Sequence, residues 1–412
     1  MRLCFGGSAG LAAGALFLAH AAAIAAPVVI NSNTSDPVPK AAFAAIVEQF
    51  RKENPDLEVT VNYYDHESYK TAIRNWLVAS PPDVVLWFSG NRMRQFVEPG
   101  LLAEVSDLWT EAHKARFTPA ALELVSVDGR QYGVPYSYYN IGIYYRKDLF
   151  ERAGLAPVSD WGDLLEACDR LNAIGVEPIV IGTKNLWPAA GWFDYLDLRM
   201  NGFAFHMALM EGGIPYSDRR VLAVFDRWRE LLDKDCFADN HTGMTWQESQ
   251  ALLYQAKGAM MLMGAFVVQS FPPDIADKIG FVPFPEIAAD VSRAEEAPMN
   301  SVHVPARAAN IDGGKAFAAF MMRADVQEAY NRATGTLPPN QEAGIPAVPL
   351  LQEGRSLLAS ATAISQYFDR DTSEDLALIA MRGFQEFMVK PDRRDKVIAE
   401  IERARQRIYS DR

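Results

Sequence analysis

The chain has 412 residues, 49% of them hydrophobic and 22% charged, which favours two folded units over one and excludes a disordered or fibrous protein. Its formal net charge of −12 argues against nucleic-acid or anionic-membrane binding, since both use basic patches.

The first 25 residues read as a secretory signal. Arg2 supplies the positive start, Leu11 to Ile24 is rich in Ala and Leu, and Ala23-Ile24-Ala25 fits the small-x-small cleavage rule. No other stretch approaches the ~20 apolar residues of a membrane span. A periplasmic location is therefore expected. Cleavage removes Cys4 and leaves Cys168 and Cys236, for which a disulfide or two buried thiols are both open.

Beyond the signal, strand and helix alternate. Val28 to Asn31 is a short strand entering the polar loop Ser32-Asn33-Thr34-Ser35-Asp36. Phe43, Ile46, Val47 and Phe50 recur at helical spacing, and Asn54-Pro55 stops that helix. Leu57, Val59, Val61 and Tyr63 alternate as a strand, and Tyr69, Ile73, Trp76 and Leu77 mark a second helix. Asp83 to Phe88 then reads as a strand buried on both faces, followed by Ser89-Gly90-Asn91-Arg92 at its carboxyl end, where ligands bind in open α/β sheets. This order predicts an α/β fold with a parallel sheet.

A second α/β unit follows. Gly133 to Tyr136 and Ile141 to Lys147 are extended, Ser159-Asp160 caps a helix through Leu171, and Pro178 to Ile181 and Ala259 to Met263 are strands. Phe281 to Pro285 reads as an extended crossover, and the remainder as mainly helical.

Catalytic motifs are nearly absent. There is no HExxH, P-loop, G-x-G-x-x-G or zinc-spaced His or Cys pair, and the G-x-S-x-G match at Gly6 to Gly10 falls in the signal with no preceding strand. No metal or cofactor is expected. What recurs is aromatic residues mixed with polar ones at loops. Asp65-His66-Glu67 follows a strand and reads as a capping turn or as a ligand loop. Pro135 to Asn140 reads as a Tyr-rich strand surface or as a contact segment. Trp187 to Asp194 carries two Trp residues around Gly191, hard to place wholly inside a core. Phe266 follows a strand ending in Gly264. Trp246 reads as packing. Asp369-Arg370-Asp371 reads as an exposed ion-pair cluster or as a hydroxyl-binding group.

With these residues laid out, the chain resembles the extracellular solute-binding proteins (family 1) of bacterial ABC sugar importers. The resemblance is carried by Phe50 to Val61, by Pro82 to Leu102 ending Pro99-Gly100-Leu101-Leu102, by Gly133-Val134-Pro135 leading to Tyr144-Tyr145-Arg146-Lys147-Asp148, by Trp161 with its helix, and by Gly258-Ala259-Met260 leading to Gly264. It implies a two-lobed periplasmic binding protein fold, class II-like, with the ligand cleft between lobes formed by 26–138 plus 284–326 and 139–283 plus 327–412.

It further implies a non-catalytic monomer that binds a mono- or oligosaccharide and delivers it to a membrane-embedded ABC permease. The contacts carried over are Ser32, Asn33, Thr34, His66, Glu67, Trp87 as a stacking platform with Asn91 and Arg92 beside it, Tyr139, Asn140, Trp192 and Phe266 as far-lobe platforms, Asp194 and Asp369. Gly90, where a maltodextrin binder of this family looks to have a carboxylate, implies a ligand other than maltodextrin. A secreted carbohydrate-active enzyme using Glu67, Asp194 and Asp369, and a binding protein for a non-sugar solute, are the alternatives.

Overall fold

A computed structural model describes residues 26–410, so the expected signal segment 1–25 lies outside the described residues. Strand β1 (Val28–Ser32) leads into helix α1 (Pro37–Glu53), which has Pro at its start and buries Phe43, Ile46, Val47 and Phe50. Strand β2 (Val59–Tyr63) is followed by α2 (His66–Ala79), capped by Asp65, whose Oδ1 accepts from the Ser68 N–H at 2.9 Å. Strand β3 (Val84–Phe88) is buried along its whole length, and α3 (Asn91–Val97) follows directly.

The chain completes the first sheet with β4 (Val134–Tyr138) and crosses at Tyr139-Asn140 into β5 (Ile141–Arg146). The second unit then contains α4 (Trp161–Ala173), β6 (Glu177–Ile179), α5 (Trp187–Asn201), α6 (Phe203–Met210), α7 (Trp246–Tyr254), β7 (Gly258–Gly264) and β8 (Ile279–Val282). Strand β9 (Ala294–Glu296) precedes β10 (Met299–His303), which re-enters the first sheet. Helices α8 (Ile311–Met321) and α9 (Ala324–Thr334) pack on the first unit. The chain then returns through α10 (Pro349–Ser360), β11 (Ala363–Ser365), α11 (Phe368–Asp371), α12 (Glu374–Val389) and α13 (Arg394–Tyr409).

The first sheet has the order β2-β1-β3-β10-β4 and the second β8-β5-β7-β6, each over its own apolar core. The expected parallel sheet is in fact mixed. β1 pairs parallel with β2 and β3, but β10 lies antiparallel between β3 and β4 because it arrives from the other lobe. Its residues include Asn300, Ser301 and His303, too polar to announce a central strand. Their polarity is satisfied in a chain: Ser89 Oγ meets Ser301 Oγ at 3.0 Å, Ser301 Oγ meets His303 Nε2 at 2.7 Å, and His303 Nδ1 meets the Tyr132 carbonyl at 2.8 Å.

Residues from 327, expected in the second lobe, pack first on the other one, since α9 lies against α1 and Tyr330 belongs to the first core. In the second core, Cys168 of α4 and Cys236 form a disulfide with Cα atoms 5.3 Å apart, resolving the open alternative.

Candidate ligand-binding cleft

A cavity of about 690 Å³ lies between the two sheets and takes residues from both lobes. The first lobe contributes the carboxyl ends of its parallel strands, where backbone and side chains turn away from the sheet. Asn33, Thr34 and Asp36 follow β1; His66, Glu67 and Lys70 occupy the first turns of α2 after β2; Phe88 ends β3. From the other side come Tyr139 at the crossing, Trp187 and Trp246 as the first residues of α5 and α7, Phe266 after β7, and Tyr367, Asp369 and Arg370 around α11.

The aromatic residues form one chain of ring contacts. Phe266 meets Tyr139 at 5.0 Å and Trp246 at 5.3 Å, Trp246 meets Trp187 at 6.5 Å, and Trp187 meets Tyr367 at 5.9 Å, all edge to face. The same cavity holds a charged strip. Lys70 Nζ lies 3.0 Å from Asp369 Oδ2 and 3.4 Å from Glu67 Oε2. Arg370 donates to the Tyr139 hydroxyl at 2.9 Å and to Asn300 Oδ1 at 3.2 Å, and its guanidinium sits 4.0 Å from the centre of the Phe88 ring. Gln247 donates to Asp36 Oδ1 across the cleft at 3.2 Å.

Burial works against the charges of Lys70 and Asp369. Their mutual attraction overcomes it, aided by Glu67 for Lys70 and by Arg92 and Arg370 for Asp369, so Lys70 is held above its ordinary pKa and Asp369 below. Burial pushes Glu67 and Asp36 upward. His66 is lowered to about 4 by burial and then by the nearby Lys70 and Arg370 charges, so it is a neutral imidazole at neutral pH. The cleft thus offers oriented donors and acceptors together with a strip of rings.

Seven expected contacts line this cavity: Asn33, Thr34, His66, Glu67, Tyr139, Phe266 and Asp369. The others do not. Trp87 is 1% exposed, with its ring against Tyr69 and Phe96 and its N–H donating to the Arg92 carbonyl at 3.2 Å. Side chains alternate along a strand, so Phe88, one residue later, takes the cleft face instead. Arg92 lies over Trp87 and pairs with Glu374 at 3.6 Å. Asn91 donates to the Thr372 carbonyl and faces a separate groove. Both belong to α3, where a loop was expected.

Ser32 is buried against Thr34 Oγ1 at 2.7 Å. Asn140 is fully buried against Gly354, and its carbonyl accepts from the Ala265 N–H. Trp192 is a core residue packed on Phe237 and Phe284. It follows Trp187 by five helical residues, roughly 7.5 Å along the axis and on another face, so only Trp187 reaches the cleft. Asp194 is fully buried and accepts from the Phe368 N–H at 2.6 Å. Gly90 also stands outside the cleft. Its φ of +73° and its N–H bond to Leu124 explain the glycine as a turn before α3, and the inference about maltodextrin drawn from it falls.

Sequence reasoning missed Asp36, Lys70, Phe88, Trp246, Gln247 and Tyr367 as lining residues, and left Arg370 open as an ion-pair or hydroxyl-binding residue. Trp246 was read at a helix start but as packing; Thr245 and Glu248 form the capping box that opens that helix, and Trp246 lines the cavity.

Residues 34–328 match the family of bacterial extracellular solute-binding proteins. The chain belongs to this family. An uncharacterized ABC transporter extracellular-binding protein of Pyrococcus horikoshii is 26% identical over 325 residues, covering 75% of this chain and 70% of the relative. Among solved structures, the bacterial solute receptor AcbH, described as having an exclusive preference for β-D-galactopyranose, superposes with a TM-score of 0.87 at 28% identity, over 93% of this chain and 98% of that one. A chitin oligosaccharide binding protein reaches 0.86 at 20% identity, over 93% and 99% of the two chains. The fold is that of the two-lobed solute-binding proteins.

Proposed function

We propose that this solute-binding protein is a periplasmic carbohydrate receptor, exported through cleavage of residues 1–25, that captures a mono- or oligosaccharide between its lobes and delivers it as a monomer to an ABC permease. The observation that carries the reading is the chain of rings from Tyr139 to Tyr367 lining one cavity together with the Glu67–Lys70–Asp369 strip. A pyranose presents C–H faces to rings and hydroxyls to charged groups, and charge-assisted hydrogen bonds to those hydroxyls are roughly twice as strong as neutral ones. The likeness to AcbH supports a sugar as solute. Hinge closure follows from a ligand touching both lobes, since it favours the closed state by contacts the open state lacks.

The protein carries no chemistry of its own in this reading. Glu67 and Asp369 share the single cation Lys70. The family that residues 34–328 match is one of binding proteins, which supports this reading over glycoside hydrolysis. Titration calorimetry of the secreted chain with D-galactose, D-glucose, D-xylose, maltose, xylobiose and chitobiose tests it. Saturable one-to-one heat with at least one sugar, and unchanged sugar afterwards, is expected. Silence across the panel alongside tight binding of a peptide, polyamine or metal ion refutes it.

A further inference from the structure

Behind the cleft, in the second lobe, lies a buried group of acids that the binding site does not use. Asp194 of α5 and Glu296 of β9 are both fully buried, with their carboxyl groups within hydrogen-bonding reach of each other. Asp194 Oδ1 and both Glu296 oxygens have no donor partner among the described residues. The nearby His206 of α6 is committed through Nδ1 to Asp197 at 2.9 Å, and its Nε2, 3.9 Å from Asp194 Oδ1, is too far for a hydrogen bond; burial works against its charge, but the Asp197 bond and then the Asp194 charge outweigh burial and raise its pKa, so it sets positive charge beside Asp194. Glu295, beside Glu296, is paired with Arg199 at 2.6 Å. Asp371 of α11 accepts from the Gln366 N–H at 2.7 Å and adds negative charge. The phenols Tyr195, Tyr216 and Tyr367 are raised by burial and then by these acids, and Tyr139 of the cleft is raised by burial with Glu296 adding to it. Two facing buried carboxyls with no other donor need a proton between them.

The same group holds a piece of the cleft. Asp194 Oδ2 accepts from the Phe368 N–H and Asp371 Oδ2 from the Gln366 N–H, fixing both ends of the turn that opens α11. The next two residues, Asp369 and Arg370, line the cavity. Glu296 closes the strand just before the chain crosses to β10 in the first lobe.

We propose that Asp194 and Glu296 share one proton and through it act as positioning residues, holding the α11 turn so that Asp369 and Arg370 face the solute. The proposal takes the cleft as the solute site, as above, and extends it to a pair of groups that never touch the ligand. Loss of the proton puts two like charges side by side under the turn; the Phe368 N–H itself favours an ionised Asp194, so the turn loosens as repulsion from Glu296 drives the Asp194 carboxyl away from it. Burial favours this proton: it raises Asp194 to about 7 against the charge of His206, and it raises Glu296 well above the ordinary carboxyl value, with the Asp194 charge adding.

Three measurements on the full secreted chain test this. Infrared difference spectra between pH 6 and pH 10 are expected to show a protonated-carboxyl band at pH 6 that disappears in Glu296→Gln. Amide exchange by NMR, corrected for its intrinsic pH dependence, is expected to lose protection at the Phe368 N–H as pH rises in the wild type but not in Glu296→Gln, whose amide donates permanently. For any panel sugar that binds, affinity should fall roughly tenfold above the titration in the wild type, while Glu296→Gln retains it. The first two readouts need no ligand, so a failure of the carbohydrate reading leaves them standing. No protonated-carboxyl band from this pair, or identical Phe368 protection profiles in wild type and Glu296→Gln, overturns the proposal.

Discussion

The four tryptophans at positions 87, 187, 192 and 246 should separate into two classes under alanine substitution. Trp87 and Trp192 were expected from sequence to contact ligand, but both are about 1% exposed inside separate cores. Removing either ring leaves a large cavity, and such Trp→Ala changes cost about 3–5 kcal/mol of stability. For a lobe of this size that lowers Tm on the order of 10 °C. Trp187 and Trp246 are half-buried at the cleft wall and contact each other and one further ring each. Their loss costs the protein about 1–2 kcal/mol in ring contacts but removes the apolar face offered to the solute. Covering a side chain of this kind is worth roughly 1.5–3 kcal/mol, or about ten- to hundredfold in Kd. Paired calorimetric titration and thermal melts of the four variants decide the matter. Trp246→Ala with unchanged affinity, or Trp192→Ala with weakened binding and an unchanged Tm, would refute the placement of these rings.

Lys70→Met leaves Glu67 and Asp369 facing each other without their cation, so affinity should drop at least about tenfold, with Lys70→Arg recovering part of it; competitive titration against wild type reads this out. Breaking the Cys168–Cys236 link by Cys→Ala substitution at both positions should cost about 4 kcal/mol, because a disulfide across 68 residues restricts the unfolded chain; urea melts check it. His66 should give no inflection in affinity near pH 6.5. Its pKa is lowered to about 4, so it stays neutral in the folded protein above that value, and only below pH 4 should its charge add to Lys70 and Arg370. The corresponding stability contribution is full above the unfolded value near 6.5 and declines as pH falls towards 4. A His66→Gln variant should flatten the acid limb of a Tm-versus-pH curve.

What the sequence made legible follows from what repeats locally. β1 and β3 were readable as short apolar runs, β2 as an alternating, half-exposed strand, and α1 and α2 from their 3.6-residue periodicity. β10 was not, because its polar residues are satisfied by partners more than a hundred residues away. Side-chain direction was the weaker link at the site. Choosing Trp87 over Phe88 is an error of one residue in a period of two, and choosing Trp192 over Trp187 ignores where α5 begins. Rings and polar groups both line the cavity, and which member of each cluster turned inward depended on strand phase and helix start.

The cleft's own cross-lobe contacts bear on how much a solute has to do. Lys70 of the first lobe pairs with Asp369 of the second, Gln247 bonds Asp36 in the opposite direction, and Arg370 reaches Asn300. These contacts tie the two lobes together without ligand, so under the proposed hinge closure the open and closed states differ by less than the full value of the solute's contacts. A ligand shifts such an equilibrium only by its differential affinity, and a closed state already partly populated reduces the penalty on apparent Kd. Removing the one contact that lies at the cavity edge and has no role in the charged strip separates the two contributions. Gln247→Ala should leave the heat of sugar contact at the strip intact while weakening affinity by about two- to fivefold, since a single hydrogen bond to a charged group is worth up to a few kcal/mol in isolation and less where water can replace it. An inter-lobe distance measured by paired spin labels should show the open population of the unliganded variant rising in step with that loss. Affinity falling with no change in the open population would mean that Gln247 contacts the solute directly, and the closure argument would fail.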